Sequence, residues 1–187
     1  DNNKYRLEVT DDTAIIMSYL RRINIKGLQI ELKGSTNQVS GIYARNNSQG
    51  VISSNIIKSS STGTNLKGIQ VYTYGGVSTD GKYYDYDYSW SIISNNIIYD
   101  LSTTDSKGFY VAYQGANGDG QRVLNNTFYN NYYGVYVNSG YRGAHIRNNI
   151  AMNSFDEDFE TTRSDGNIDV KTNNISSSVK FSEASKP

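Results

Sequence analysis

Two phrases of apolar and polar positions alternate along the chain. The first has an apolar residue, one or two Asn or Ser, and a short apolar run, at 51–57, 92–98, 123–128, 146–151 and, loosely, 170–175. Aligning the last polar residue of each phrase gives spacings of 41, 30, 23 and 25 residues between Asn55, Asn96, Asn126, Asn149 and Asn174. A unit near two dozen residues, lengthened by insertions, indicates a repeat architecture.

The second phrase lies between copies of the first. It begins at Gly41, Gly68, Gly108 and Gly134, and each Gly leads into apolar and polar residues that alternate at period two. Residues 158–161 occupy the place of a fifth copy. Such alternation in short pieces bounded by Gly, Asn and Ser predicts β-strands, and no stretch after residue 35 has helical apolar periodicity.

Three short strands per repeat predict an all-β fold, a parallel β-helix of about six coils in a single domain. Each coil can bury its apolar face only against the coils above and below it. The equivalent Asn side chains are predicted to stack as a ladder at one turn, because an amide can donate and accept at once. The predicted coils are 13–35, 41–60, 68–103, 108–131, 134–154 and 158–178, followed by a polar tail at 179–187. A strand pattern already present at 5–9 leads us to expect further chain before Asp1.

The order of the two phrases resembles the repeat of pectate-lyase-like proteins, which form a right-handed parallel β-helix. Their repeat reads Gly-Ile-x-Val, a variable loop, and Ile-x-Asn-Asn-x-Ile, and the resemblance covers roughly residues 23–176. It implies that the Gly-led strands form a first sheet, the strands ending at the Asn a second, and the runs after the Asn a third.

Composition and charge narrow the function classes. Lys plus Arg and Asp plus Glu both number 18, so no global field attracts nucleic acid or an anionic membrane. The absence of Cys excludes disulfides and thiol nucleophiles, and a single His, His145, excludes a multi-histidine metal site. No apolar run is long enough for a membrane span. We expect an extracellular, secreted protein of bacterial origin.

The outward positions of the first sheet point to a ligand. They are predicted to form a column rich in Tyr, and all long insertions flank the same sheet, where loops on a rigid scaffold carry function. The aromatic insertion 79–90 adds Trp90. We therefore predict a polysaccharide held along this sheet; the alternative is that stacked Tyr side chains only stabilise it. The candidate sugar-binding residues are Tyr43, Gln70, Tyr72, Tyr110, Tyr136 and Trp90.

A cluster of carboxylates enters the first sheet near its end. Asp156, Glu157 and Glu160 lie close enough in sequence to share one hard cation, so they form a candidate calcium site. The stretch resembles the calcium-binding turn of polysaccharide lyase family nine, with Asp158 standing where that family has Gly. The previous turn has Tyr132 and Tyr133 where the family places a further acidic ligand.

The same resemblance implies a calcium-assisted lyase acting on a uronate polymer, with Lys or Arg as the base. Lys107, Arg142 and Lys67 border the predicted cleft, and the first two are the candidate catalytic residues. A glycoside hydrolase would instead need two carboxylates across the cleft, and no spacing selects such a pair. No organic cofactor is predicted. The alternatives are a non-catalytic glycan-binding module, and a structural, adhesive or tail-fibre solenoid within a larger secreted protein.

Overall fold

The computed structural model describes residues 6–18, 24–45, 50–74, 91–114, 121–138, 145–160, 169–172 and 175–176. Within these ranges the chain is all-β, without a helix, and its strands run parallel to their neighbours in three sheets. No helix in this part of the chain could span a bilayer. The prediction of a parallel β-helix is confirmed.

Each sheet takes every third strand. The first sheet contains β2 (Ile15–Ser18), β5 (Ser40–Arg45), β8 (Lys67–Tyr74), β11 (Lys107–Gln114), β14 (Tyr133–Val137) and β17 (Glu157–Glu160). The second contains β3 (Asn24–Lys26), β6 (Gly50–Ser53), β9 (Ser91–Ser94), β12 (Arg122–Leu124), β15 (His145–Arg147) and β18 (Asp169–Thr172). The third contains β1 (Arg6–Thr10), β4 (Gln29–Lys33), β7 (Ile56–Ser59), β10 (Ile97–Tyr99), β13 (Thr127–Tyr129), β16 (Ile150–Met152) and β19 (Ile175–Ser176).

The interior is a stack of apolar side chains, one level per coil. In β8 the inward Ile69 and Val71 are buried, whereas the outward Gln70 and Tyr72 are partly exposed, as strand alternation requires. The same level of the coil adds Ile93 from the second sheet and Ile98 from the third, both fully buried. This burial is the main source of cohesion between coils.

The number of complete turns is smaller than predicted. Four successive coils, those beginning with β5, β8, β11 and β14, bury an apolar side chain fully on all three sheets. The structure thus has about four complete turns, and the prediction of six was wrong. Among the described strands, β2, β3 and β17 each have a neighbour on one side only, so Ile15 and Ile25 at one end and Phe159 at the other stay partly exposed.

The predicted Asn ladder is present at the turn between the second and third sheets. The Oδ1 of Asn126 accepts from the backbone N–H and the Nδ2 of Asn96, at 3.0 and 2.9 Å. The Nδ2 of Asn126 donates to Asn149 Oδ1 at 3.0 Å and to the carbonyl of Ile93 at 2.9 Å. Asn55 repeats the pattern one coil earlier, and Asn174 lies outside the described residues. Each amide therefore satisfies buried polar groups in two coils.

The residue before each ladder Asn explains why the phrase contains a pair of polar residues. Ser54, Asn95, Asn125 and Asn148 have φ values of 57°, 56°, 56° and 57°, in the left-handed region that Asn tolerates better than most residues. The first polar residue reverses the chain and the second points inward. Asn131 plays the inward role at the turn before β14, where it accepts from the Leu101 N–H and donates to the Ile98 carbonyl at 3.1 Å in both cases.

A column of glycines lines the start of the first sheet. A Cβ on Gly68 would lie 2.6 Å from the carbonyl oxygen of Gly108, and a Cβ on Gly108 would lie 2.6 Å from that of Gly134. Gly41 and Gly134 meet the next strand in the same way, at 2.7 and 2.5 Å. Side chains are therefore excluded here by close approach of the backbone.

We predict that Asn126→Ala lowers the free energy of unfolding by about 3 kcal/mol, because it leaves buried amide and carbonyl groups of two neighbouring coils unpaired. Denaturant unfolding measures the change. The matched control is Asn125→Gly at the exposed turn position, where we expect a change within about 0.5 kcal/mol. Equal effects of the two variants would contradict a stabilising ladder.

Candidate functional site

The outward face of the first sheet carries two columns of side chains in register. One column places Tyr43, Gln70, Tyr110 and Tyr136 on successive strands. The other, nearer the start of each strand, places Ser40, Lys67, Lys107 and Tyr133 side by side. Parallel strands lie about 4.8 Å apart, so the two lysines are stacked neighbours.

Lys107 is a fixed cation. Its Nζ donates to the Asp105 carboxylate at 2.6 Å, to the Asp105 carbonyl at 2.5 Å and to Asn65 Oδ1 at 3.1 Å. It also lies 5.1 Å from the ring centroid of Tyr136 and 5.6 Å from that of Tyr110, within cation–π range. Burial lowers the pKa of Lys107, but the bond to Asp105 opposes that effect.

Lys67 has no ion-pair partner among the described residues. Only 6% of the residue is exposed, its Nζ lies 6.0 Å from the Tyr110 ring centroid, and it makes no side-chain hydrogen bond or ion pair within the described part of the chain. Burial and the neighbouring Lys107 lower its pKa to about 8, against the weaker pull of Asp105. A buried ammonium without an anion is unfavourable, so this group favours a negatively charged ligand or the loss of its proton.

Aromatic rings surround the two ammonium groups. The rings of Tyr110 and Tyr136 have centroids 5.7 Å apart, and that of Tyr133 lies 5.0 Å from Tyr136 at a steep angle. Burial, followed by the neighbouring Tyr136, raises the pKa of Tyr110, so its hydroxyl remains protonated and able to donate. Asn138 Nδ2 donates to this hydroxyl at 3.4 Å, and Arg45 lies over the Tyr72 ring at 5.8 Å.

Together these residues line a groove of about 400 Å³. The turns 60–66 and 100–106, seven residues each, stand beside the two lysines and contribute Asn65 and Asp105 to one wall. The charged residues that line the groove are Lys67, Lys107 and Asp105. Two positive charges and one negative charge leave the described lining with a net charge of +1. The full lining is Gln38, Tyr43, Asn65, Lys67, Gln70, Tyr72, Asp105, Lys107, Tyr110, Tyr136 and Asn138.

The structure gathers most of the predicted sugar-binding residues in this groove. Tyr43, Gln70, Tyr72, Tyr110 and Tyr136 line it together with Lys107. Trp90 and Arg142 lie outside the described residues. A catalytic role for Lys107 stays a prediction.

The sequence analysis missed two features of the groove: its net positive charge, and the pairing of Asp105 with only one of the two lysines. Asp105 precedes the Gly-led phrase by three residues and is turned back onto Lys107 by its left-handed backbone, with φ 61°. Lys67 and Lys107 each precede the Gly of their strand, and this shared position is the sequence signal that places them side by side.

The predicted calcium ligands Asp156, Glu157 and Glu160 lie directly before and within β17, the last described strand of the first sheet, and each lies beside Tyr133 or Tyr136 of the preceding strand. The interaction of the Tyr133 hydroxyl with the Asp156 carboxylate is the main reason that the pKa of Tyr133 is raised. Glu157 pairs in register with Tyr133, and Glu160 with Tyr136. No group of three or more His, Asp or Glu in the described ranges is arranged to hold a metal. The calcium site stays a prediction.

Asp158, which stands in place of the family's Gly, is fully committed to structure. Its Oδ1 accepts from the Ser154 N–H at 3.1 Å and its Oδ2 accepts from the Ser176 hydroxyl at 2.8 Å. The residue is buried in β17, so its carboxylate is a poor candidate for a ligand to a surface cation.

Comparison with protein-family models, curated proteins and solved structures finds no match for this chain. Function must therefore be inferred from the groove itself.

We predict that Lys67→Met stabilises the protein at pH 7. A folded-state pKa of about 8, below the ordinary lysine value, means that the buried charge destabilises the fold at neutral pH. The variant removes that destabilisation, by about 2 kcal/mol or roughly 4–8 °C in Tm.

The gain should shrink as the pH rises from about 8 toward 10.5, because the folded wild type then loses the proton that its unfolded chain retains. Thermal unfolding at neutral and alkaline pH measures both effects. Lys26→Met, at an exposed position of the second sheet, is the control and should change Tm little at either pH. A destabilised Lys67→Met at pH 7 would contradict this account.

Proposed function

We propose that the protein binds an acidic polysaccharide in the groove of the first sheet. The observation that carries the proposal is Lys67: a buried ammonium with no counterion in the described residues, next to a second lysine and bordered by Tyr rings. A ligand carboxylate or sulfate would supply the missing negative charge. Sugar rings present apolar C–H faces beside hydroxyls, which suits tyrosines that have both a ring face and a polar end.

Three properties of the site favour a polymer over a small molecule. The columns continue over several coils, the groove lies on an open sheet face, and its walls are loops on a rigid scaffold. The even balance of charge over the whole chain argues against nucleic acid as the polymer, because that would require an extended basic surface.

The resemblance of the repeat to pectate-lyase-like proteins supports the same proposal, since proteins of that kind act on acidic polysaccharides. We further propose a secreted protein that works outside the cell, where such polymers are found. A larger multidomain protein is compatible with this role.

We predict that wild-type protein binds polygalacturonate, alginate or hyaluronan more tightly than neutral dextran or galactomannan, in calorimetry or affinity electrophoresis. Lys67→Met should lower affinity for the bound acidic polymer about tenfold or more, by removing a charge-assisted contact. Tyr110→Ala should lower it about fivefold by removing a ring face. The affinity of wild type should also fall with added salt.

Two control variants separate the groove from the general surface. Lys26→Met removes an exposed cation from the second sheet, and Tyr129→Ala removes an exposed ring from the third sheet. Neither should change affinity. Absence of binding to any acidic polymer, or equal losses in groove and control variants, would contradict the proposal and favour a purely structural solenoid.

A second candidate function is a lyase acting on the same polymer, and the lowered pKa of Lys67 favours it. The neutral amine could take the proton next to a uronate carboxylate. The electron pair of that C–H bond then forms a C=C bond as the C–O bond to the neighbouring sugar breaks, and the departing oxygen takes up a proton from water. A calcium ion bound near Asp156, Glu157 and Glu160 would supply charge neutralisation for such a step.

If the lyase function holds, incubation with polygalacturonate or alginate produces ultraviolet absorbance from the unsaturated product, and a chelator abolishes it. Lys67→Arg keeps a cation that holds its proton more strongly than the Lys67 amine does, so it should bind the polymer but form product at least about tenfold more slowly. Binding without product in wild type, with calcium present, would leave only the binding function.

A further inference from the structure

We infer that Tyr132 and Phe155 form a second sugar-binding subsite beside the groove, and that the polysaccharide leaves the first sheet over this turn. The inference rests on the proposed function and extends it. We define the aromatic platform as the ring pair of Tyr132 and Phe155. Its ligand would be an uncharged pyranose unit of the same polymer, so the inference applies to a polymer that alternates charged and uncharged units, as hyaluronan does.

The first observation is exposure. Phe155 is 69% exposed, the highest fraction among the large apolar residues that the structure exposes. Its ring is nearly parallel to that of Tyr132 from the previous coil, with centroids 6.5 Å apart and an angle of 7° between the planes. The backbone fixes this pair, because the N–H groups of Phe155 and Asp156 donate to the carbonyls of Asn131 and Tyr132 at 2.9 Å. Two parallel rings held on a rigid turn make a platform for the flat C–H face of a sugar.

The second observation is continuity with the groove. Ring contacts lead from Tyr110 to Tyr136 at 5.7 Å, from Tyr136 to Tyr133 at 5.0 Å, and from Tyr133 to Tyr132 at 5.1 Å. Phe155 ends this series. Elsewhere in the described residues, the exposed Tyr129 makes no ring contact of this kind, so continuity distinguishes the platform from other exposed aromatic groups.

The third observation is the height of the groove wall. The turns that stand beside Lys67 and Lys107 have seven residues, 60–66 and 100–106. The next two turns along the same edge have three and four residues, 130–132 and 153–156, and these contain Tyr132 and Phe155. A polymer in the groove is therefore walled at the lysine end and free to cross the edge at the aromatic end.

Charge decides what kind of sugar unit the platform accepts. Asp156 adjoins Phe155 in the chain and interacts with Tyr133, whose pKa it raises, and Glu157 follows at the start of β17. These carboxylates would repel a uronate, whereas they can accept hydrogen bonds from the hydroxyls of an uncharged sugar. The groove and the platform would thus bind different units of one chain.

The experiment compares hyaluronan oligosaccharides of graded length, because hyaluronan alternates a uronate with an uncharged sugar unit. Binding to polygalacturonate or alginate but not to hyaluronan would refute the platform and leave the groove. We expect Phe155→Ala to weaken binding of hexasaccharides and longer chains about fivefold, and to leave trisaccharides unchanged because they fill only the groove. Lys67→Met should weaken both. The loss caused by Phe155→Ala should not depend on salt, since it removes a contact with an uncharged unit.

Further variants separate the platform from general effects. Phe155→Trp should retain long-chain affinity and Phe155→Leu should lose it, because Leu is apolar but has no ring face. Tyr129→Ala should have no effect, and a cooperative unfolding transition with a Tm no lower than that of wild type would show that each variant is folded. If Phe155→Ala leaves long-chain affinity unchanged while Lys67→Met reduces it, the platform is refuted and the groove is not. If wild type binds no acidic polymer, both are refuted.

Discussion

At successive turns between the second and third sheets, a buried Asn accepts hydrogen bonds from the backbone and the side chain of the Asn in the preceding coil. The acceptors are Asn96, Asn126 and Asn149. The backbone N–H groups of Asn55, Asn96 and Asn126 are buried at these turns, and each finds its acceptor in the Asn of the following coil. The bond from Asn96 to Asn126 therefore fixes the vertical register of the whole coil. Every side-chain column on the outer faces inherits that register.

The groove depends on this register for its electrostatics. Lys67 and Lys107 come from strands 40 residues apart in the chain, and only the stacking of coils makes them neighbours. Asp105 compensates the charge of Lys107. The charge of Lys67 has no such partner among the described residues, and both its burial and repulsion by Lys107 disfavour it. A rigid scaffold can hold such an unfavourable arrangement, and binding sites commonly retain groups that weaken the fold.

Much of the fold was accessible from the sequence, because strand alternation, the Asn phrase and the Gly-led phrase each have a simple physical cause. Tyr43, Tyr110 and Tyr136 could be assigned to one column from period-two alternation alone. The number of complete turns could not, because burial at the two ends depends on missing neighbours and not on local pattern.

The polar chemistry of the site was also less accessible. Nothing local shows that Asp105 folds back onto Lys107, or that Asp158 is used by Ser154 and Ser176 and not by a cation. Such partnerships depend on turn conformation and on residues of other coils, which repeat patterns do not encode. The register of the columns was predictable, whereas the pairing of charges within them required three-dimensional positions.

The glycine column has a consequence for how such a chain can change in length. Each Gly leaves room for the carbonyl of the following strand, so an insertion or deletion within a strand of the first sheet would carry a side chain into that space. Whole repeats can be duplicated or lost without this conflict, and so can residues in the turns. We therefore expect this architecture to evolve by gain or loss of entire coils and by changes in the turns. Changes in the turns alter the ligand-facing surface without changing the buried interior.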